Sequence, residues 1–125
     1  MHSIPIMHRD IRWPNIVKYR GTNNWFLIDF EFACYAPSDT KEGRLLREFH
    51  APEISEGPHN TAVDIWSVGN LVSGYSLNLS AEIKLFAEKL KVTSPQDRPN
   101  ARDALVEAQK LYENIKDQSQ TEINI

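Results

Sequence analysis

Apolar and polar positions divide the chain into two halves with different rhythms. In the first, Ile16-Val17-Lys18-Tyr19 and Trp25-Phe26-Leu27-Ile28 are rich in β-branched and aromatic side chains, and Arg20-Gly21-Thr22-Asn23-Asn24 between them has turn chemistry. That pattern predicts a β-hairpin. Residues 31–52 follow neither a two-residue nor a 3.6-residue period and carry Pro37, Ser38, Asp39 and Gly43. A long irregular connection inside a compact domain is often functional.

From residue 61 the rhythm turns helical. Ala62, Val63, Ile65, Trp66, Val68, Leu71, Val72 and Tyr75 cover most of a helix's circumference, so 61–76 is expected to be a helix buried on nearly every side. Ser80 offers an N-cap, and Ile83, Phe86, Ala87 and Leu90 then form a one-sided stripe. Asn100 can cap a third helix whose buried stripe would be Ala101, Ala104, Leu105, Ala108, Leu111 and Tyr112, extended by Ile115. The tail from Asp117 to Ile125 is polar except for Ile123 and Ile125 and is expected to fray. The fold class is therefore mainly α with a small β-hairpin, with 1–116 as one domain and 117–125 as its tail.

Composition narrows the setting. A chain of 125 residues with 41% hydrophobic and 25% charged side chains suits one globular domain. A net charge of −3, from 14 basic and 17 acidic residues, argues against a surface built for nucleic-acid phosphates. The single cysteine, Cys34, excludes an intramolecular disulfide and fits a reducing compartment. No apolar run approaches the roughly 20 residues of a membrane span, and Met1 to Met7 lacks the parts of a signal peptide. The expectation is a cytoplasmic protein with neither nucleic-acid nor membrane partner.

Candidate chemistry gathers around the hairpin. His8-Arg9-Asp10-Ile11-Arg12-Trp13-Pro14-Asn15 precedes its first strand, and Asp29-Phe30-Glu31 follows its second. A hairpin folds its two ends together, so Asp10, Asn15 and Asp29 can converge. Two carboxylates and an amide oxygen are hard ligands suited to magnesium whose other positions are filled by phosphate oxygens. A carboxylate left free of metal can accept a proton.

These segments resemble the signature set of the protein kinase superfamily. His8-Arg9-Asp10 with Asn15 matches the catalytic loop, and Asp29-Phe30 matches the magnesium-binding motif. Ala51-Pro52-Glu53 matches the close of the activation segment. Asp64-Ile65-Trp66-Ser67-Val68-Gly69 resembles the start of the central helix, and Asp97-Arg98-Pro99 the arginine motif near the last helices. The order is the family's, over residues 7 to about 112. One four-letter match arises by chance roughly once in 160,000 starts, and here several fall in register.

The resemblance implies a protein-kinase-like carboxy-terminal lobe that uses ATP and Mg2+. Asp10 would accept the proton of the attacking hydroxyl. Arg12, where most members keep a lysine, would touch the transferred phosphate. Asn15 and Asp29 would bind the cofactor's magnesium. Arg9 would meet a phosphate or acidic group on the activation segment, with Ser38 and Thr40 as candidate phosphosites or ordinary loop residues. His8 and Phe30 would stack, Asp64 would tie the catalytic loop to the central helix, and Glu53 and Arg98 would form a buried ion pair. Asp64 has a local alternative, since Thr61-Ala62-Val63-Asp64 also scans as a capping box.

The chain departs from the family pattern in three places. Glu31 stands where the family has glycine. Only a short link around Tyr75 to Leu79 joins the central helix to the next. The residues before His8 contain no glycine-rich loop, strand lysine or helix glutamate, so the amino-terminal lobe is expected to be absent. His2, His50 and His59 show no metal-ligand spacing with each other or with Cys34 and are taken as single surface or core residues. Trp25 and Trp66 are expected in the core, and the charges from Glu82 to Lys89 and Glu107 to Lys110 on a solvated face.

Two classes of function remain. The first is ATP-dependent transfer of phosphate to protein hydroxyls, Ser/Thr more than other types, with this lobe inactive alone. The second is a non-catalytic, partner-binding fragment. A kinase-like small-molecule phosphotransferase is the further alternative, suggested by Ile28-Asp29-Phe30-Glu31. The apolar central helix is expected to need a cover, from a protein substrate or partner or from a second copy in a dimer.

Overall fold

The computed structural model describes residues 5–39, 44–45, 48–75 and 78–123. The expected hairpin is present. Strands β2 (Ile16–Lys18) and β3 (Trp25–Leu27) pair antiparallel with Ile16 opposite Leu27 and Lys18 opposite Trp25. Its turn closes through Tyr19 N–H to the Asn24 carbonyl at 2.8 Å, with Gly21 at φ 74°, where a side chain would be strained. Trp25 is 58% exposed, against its expected core position, with the Lys18 ammonium 5.6 Å from its ring. A three-residue strand pair is too short to bury both of its faces.

A second two-stranded ladder has no counterpart in the sequence reading. β1 (Ile6–Met7) pairs antiparallel with β4 (Cys34–Tyr35), with Met7 opposite Cys34. Two-residue strands show no legible alternation. This ladder fixes both ends of the chemistry-bearing region, because His8 follows β1 directly and β4 lies in the irregular 31–52 connection. Met7, Leu45, Ala51, Ile54, Val63 and Trp66 form the core beneath it, with Phe32, Cys34 and Ala36 packed against them. Trp66 is therefore a core residue as expected.

Helix α1 (Glu53–Glu56) is one turn that buries Ile54. Helix α2 (Ala62–Ser73) buries Val63, Trp66, Ser67 and Gly69. It stops at Gly74, so Tyr75, expected within the helix, lies beyond it and packs its ring 5.8 Å from that of Trp13. Gly69 is required by close packing. A Cβ there would sit 2.8 Å from the Leu90 Cβ and 2.9 Å from the Ala87 carbonyl on helix α3 (Ala81–Leu90). Lys91 clasps the same junction, donating to the Asn70 side-chain oxygen at 2.8 Å with its ammonium 5.0 Å from the Trp66 ring.

Helix α3 follows its predicted stripe, with Phe86, Ala87 and Leu90 buried, and Ser80 caps it by accepting the Ile83 amide. Asn100 caps helix α4 (Ala101–Ile123) by accepting the Asp103 amide at 2.8 Å. The tail expected from Asp117 continues this helix to Ile123, since residues 117–123 contain neither Gly nor Pro to stop it. The stripe of α4 faces its neighbours without being buried: Leu105 is 59% and Tyr112 67% exposed. The helix has 23 residues and its neighbour α3 has 10, so α3 can flank only part of its length. Ile65, Val68 and Val72 of α2, with Phe86, Leu105 and Ala108, line an open apolar groove there. The helical charges lie at the surface as expected, and Lys89 spans to Glu107 at 3.2 Å. No helix among the described residues is long and apolar enough to cross a membrane.

Candidate active site

The catalytic-loop segment is held from below by one carboxylate. Asp64, in the first turn of α2, accepts the His8 amide at 2.8 Å and the Arg9 amide at 2.9 Å. Pointing both amides at one acceptor puts Arg9 at φ 69°, a left-handed conformation that costs roughly 1–2 kcal/mol for a side-chain-bearing residue. Two hydrogen bonds to a carboxylate offset it. Burial pushes the Asp64 carboxyl above its ordinary value, outweighing the lowering by the two amides and by the His8 and Arg9 charges. The capping-box alternative does not form. Thr61 makes no side-chain cap, and Asn60 accepts the Ala62 amide instead.

Above this tether sits Asp10, only 4% exposed. The Asn15 amide nitrogen donates to Asp10 Oδ2 at 3.0 Å and to the Asp10 backbone carbonyl at 2.8 Å. Asp10 Oδ1 lies 2.7 Å from His50 Nε2 and 3.4 Å from Arg12 Nε. Asn15 ends a 3-10 turn, Trp13–Asn15, with Pro14 in its second position, and this short loop places the amide back on Asp10.

The hairpin brings Asp29 back to this loop along the backbone. The Ile28 amide donates to the Asn15 carbonyl at 2.8 Å. His8 stitches the same junction. Its Nδ1 accepts the Asp10 amide at 3.1 Å, which leaves Nε2 to donate to the Ile28 carbonyl at 3.0 Å. Phe30 meets the His8 ring edge-on, centroids 4.8 Å apart. The Asp29 side chain itself is exposed, at φ 62°, and accepts only the Glu31 amide, at 3.3 Å, among the described contacts. Asp10 and Asn15 are thus brought into contact, whereas Asp29 joins them through the backbone.

Arg9 bonds two groups of the fold. Its Nε donates to the Phe32 carbonyl at 2.6 Å, and its Nη1 lies 3.3 Å from His59 Nε2. His59 Nδ1 donates to the Gly57 carbonyl at 2.8 Å, which leaves Nε2 to accept from the guanidinium. Ser38 pairs with His59 through two backbone hydrogen bonds of 2.8 and 2.9 Å. Thr40 and His2 lie outside the described residues.

A second anchor holds the segment that carries His50. Arg98 pairs with Glu53 in a two-pronged contact of 2.5 and 3.0 Å. It also donates to the carbonyls of Val92, Ala62 and Thr93, so all five guanidinium hydrogens have acceptors. Beside the catalytic loop a cleft of about 380 Å³ is lined by Arg12, Trp13, Glu48, Phe49 and Asn70, among others.

Sequence reasoning passed over two residues here. His50 and His59, both 5% exposed, bond Asp10 and Arg9 respectively. The available signal was position. A residue immediately before Ala51-Pro52-Glu53 is carried wherever that anchor goes, and the anchor packs against the catalytic loop.

Comparison with known proteins agrees with the geometry. Residues 1–77 match the family described as protein kinase domain. The chain is 39% identical over 112 residues to Crinkler effector protein 8 of Phytophthora infestans, covering 84% of this chain and 19% of that protein. It is 30% identical over 118 residues to a probable serine/threonine-protein kinase of Encephalitozoon cuniculi, covering 85% and 22%. A serine/threonine-protein kinase homolog of Pinctada fucata is 30% identical over 144 aligned residues, covering 84% and 34%. The loop around Asp10 and the arginine-anchored helical segment are consistent with a kinase-like fragment. The chain belongs to the protein kinase family, and it spans a fifth to a third of the length of these curated relatives.

Proposed function

We propose that this chain is the carboxy-terminal, catalytic-loop lobe of a kinase that transfers the γ-phosphoryl group of ATP to serine or threonine hydroxyls of proteins. The observation that carries the reading is the buried Asp10–Asn15 pair, bonded at 3.0 Å and joined by the hairpin to the residue preceding Asp29. Asp10 accepts the hydroxyl proton as the oxygen attacks phosphorus, while the bond from phosphorus to the departing diphosphate oxygen breaks. Arg12, half exposed beside Asp10, offers a cation to the transferred phosphate.

The donor set suits magnesium. The Asn15 amide nitrogen is engaged by Asp10, which leaves its oxygen as a donor, and Asp29 supplies an exposed carboxylate. Among the described residues no group of three or more His, Cys, Asp or Glu is placed to hold an ion. Two protein oxygens with phosphates completing the sphere is a pattern typical of magnesium. Bound there, the ion would neutralise charge on the phosphates.

Within these 125 residues no glycine-rich loop or strand lysine grips the nucleotide. The reading therefore expects little turnover by the chain alone and transfer once it is joined to a kinase amino-terminal lobe. Peptide arrays and small-molecule panels with MgATP test this on the joined protein. Labelling of Ser/Thr peptides supports it. Labelling of aminoglycosides or choline alone, or none of any substrate, overturns it.

A further inference from the structure

His50 lies outside the matched signature letters, yet among the described residues it makes the shortest side-chain contact to the Asp10 carboxylate. Its Nε2 is 2.7 Å from Oδ1, and the two side chains are 6% and 5% exposed. A buried carboxylate with a bond on only one oxygen can swing about its χ1 and χ2. Asn15 holds Oδ2 from within the same loop, at five residues' separation. His50 holds Oδ1 from 40 residues away, on a segment with its own foundations. Those foundations are the fully buried Ala51 and Ile54 and the Arg98–Glu53 pair. The loop under Asp10 rests on Asp64 instead.

We propose that His50 is a positioning residue for Asp10. Its imidazole Nε2–H fixes one carboxylate oxygen against the close of the activation segment. Oδ2, which among the described residues accepts the Asn15 amide, keeps the capacity to take the substrate proton. The side chain couples the catalytic carboxylate to the correct docking of Ala51-Pro52-Glu53, so the base is aimed only when that segment is seated. Arg12 also approaches Oδ1, at 3.4 Å, but its side chain is 47% exposed and cannot supply the same rigidity. This role rests on the reading of Asp10 as the base. The geometry it invokes can be tested without any turnover.

The test uses the 125-residue chain in solution. Side-chain couplings report the Asp10 χ1 distribution in wild type, His50→Gln and His50→Leu. The expected result is one rotamer in wild type, the same rotamer with glutamine, whose amide retains an N–H donor, and averaging with leucine. Methyl signals of Met7 and Ile54 check that the core is intact. If the leucine variant fails to fold, Asp10→Ala, which removes the acceptor, read from the other side decides. A low-field His50 Nε2–H resonance present in wild type should vanish in it. A single Asp10 rotamer in folded His50→Leu, or a His50 resonance indifferent to Asp10→Ala, overturns the proposal.

Joined to an amino-terminal lobe, His50→Leu should lose kcat on the order of tenfold to a hundredfold at unchanged KM for ATP, with His50→Gln recovering most of it. An equal kcat in wild type and His50→Leu also overturns the proposal. Absence of transfer by the joined wild type overturns the kinase reading instead, and the rotamer result still decides the role of His50.

Discussion

The two acidic segments at the ends of the hairpin are built on opposite terms. Residues 8–10 and Asn15 are buried, and Asp64, Asn15 and His50 hold them from three directions. Residues 28–30 are exposed, and among the described residues the Asp29 carboxylate is tied only within its own turn. On the proposed function, the segment that would aim a proton acceptor is pre-organised by this chain's own core, and the segment that would offer a magnesium ligand is left open. Preorganisation reduces the cost of ordering at the moment of reaction, so it matters most where geometry is strict.

Substitutions should divide along the same line. The largest effect is expected at Arg98. Arg98→Ala strands the Glu53 carboxylate and three carbonyls, and should cost on the order of 3–5 kcal/mol in urea denaturation. A loss below about 1 kcal/mol would show that the activation-segment anchor is not held as described.

Next is Asp64→Ala, which removes the acceptor of two loop amides and should cost about 2–3 kcal/mol. Its pH dependence has a definite sign. The folded chain holds the Asp64 proton more tightly than the unfolded chain does, because burial raises the native value above 3.8. The contribution of Asp64 to stability is therefore greatest below that value and falls as pH rises through the raised native one. The stability difference between wild type and Asp64→Asn, followed by urea titration from about pH 3 to 7, should decline with pH. A rise would contradict the dominance of burial.

The smallest effect belongs to Asp29. Asp29→Asn should change stability by less than about 0.5 kcal/mol, since among the described residues the side chain bonds only within its own turn. Amide exchange sharpens the contrast: the His8 and Arg9 amides should be protected and the Glu31 amide fast. Equal protection of the two segments would erase the distinction.

Much of this arrangement was legible in the residues. The hairpin was marked by its turn residues, and α3 and α4 by Ser80 and Asn100, whose side chains do cap them. The pairs His8–Phe30 and Glu53–Arg98, and the Asp64 tether, follow from the family resemblance and are present as contacts. What escaped depended on tertiary context. The β1–β4 ladder is too short to show a period. Burial of the α4 stripe depends on neighbours whose lengths a periodicity does not give. The contact of Arg9 with His59 was not legible, because a histidine 50 residues away arrives there only through the fold. His50 was hidden for the same reason.

The central claim is that Asp10 accepts the substrate proton in phosphoryl transfer from ATP. The most direct test is labelled-phosphate transfer to a Ser/Thr peptide by three proteins: the chain alone, the chain joined to a kinase amino-terminal lobe, and the joined protein carrying Asp10→Ala. The account predicts little or no transfer by the first, transfer by the second, and loss of at least about a hundredfold in the third. Robust transfer by the joined Asp10→Ala protein would contradict it.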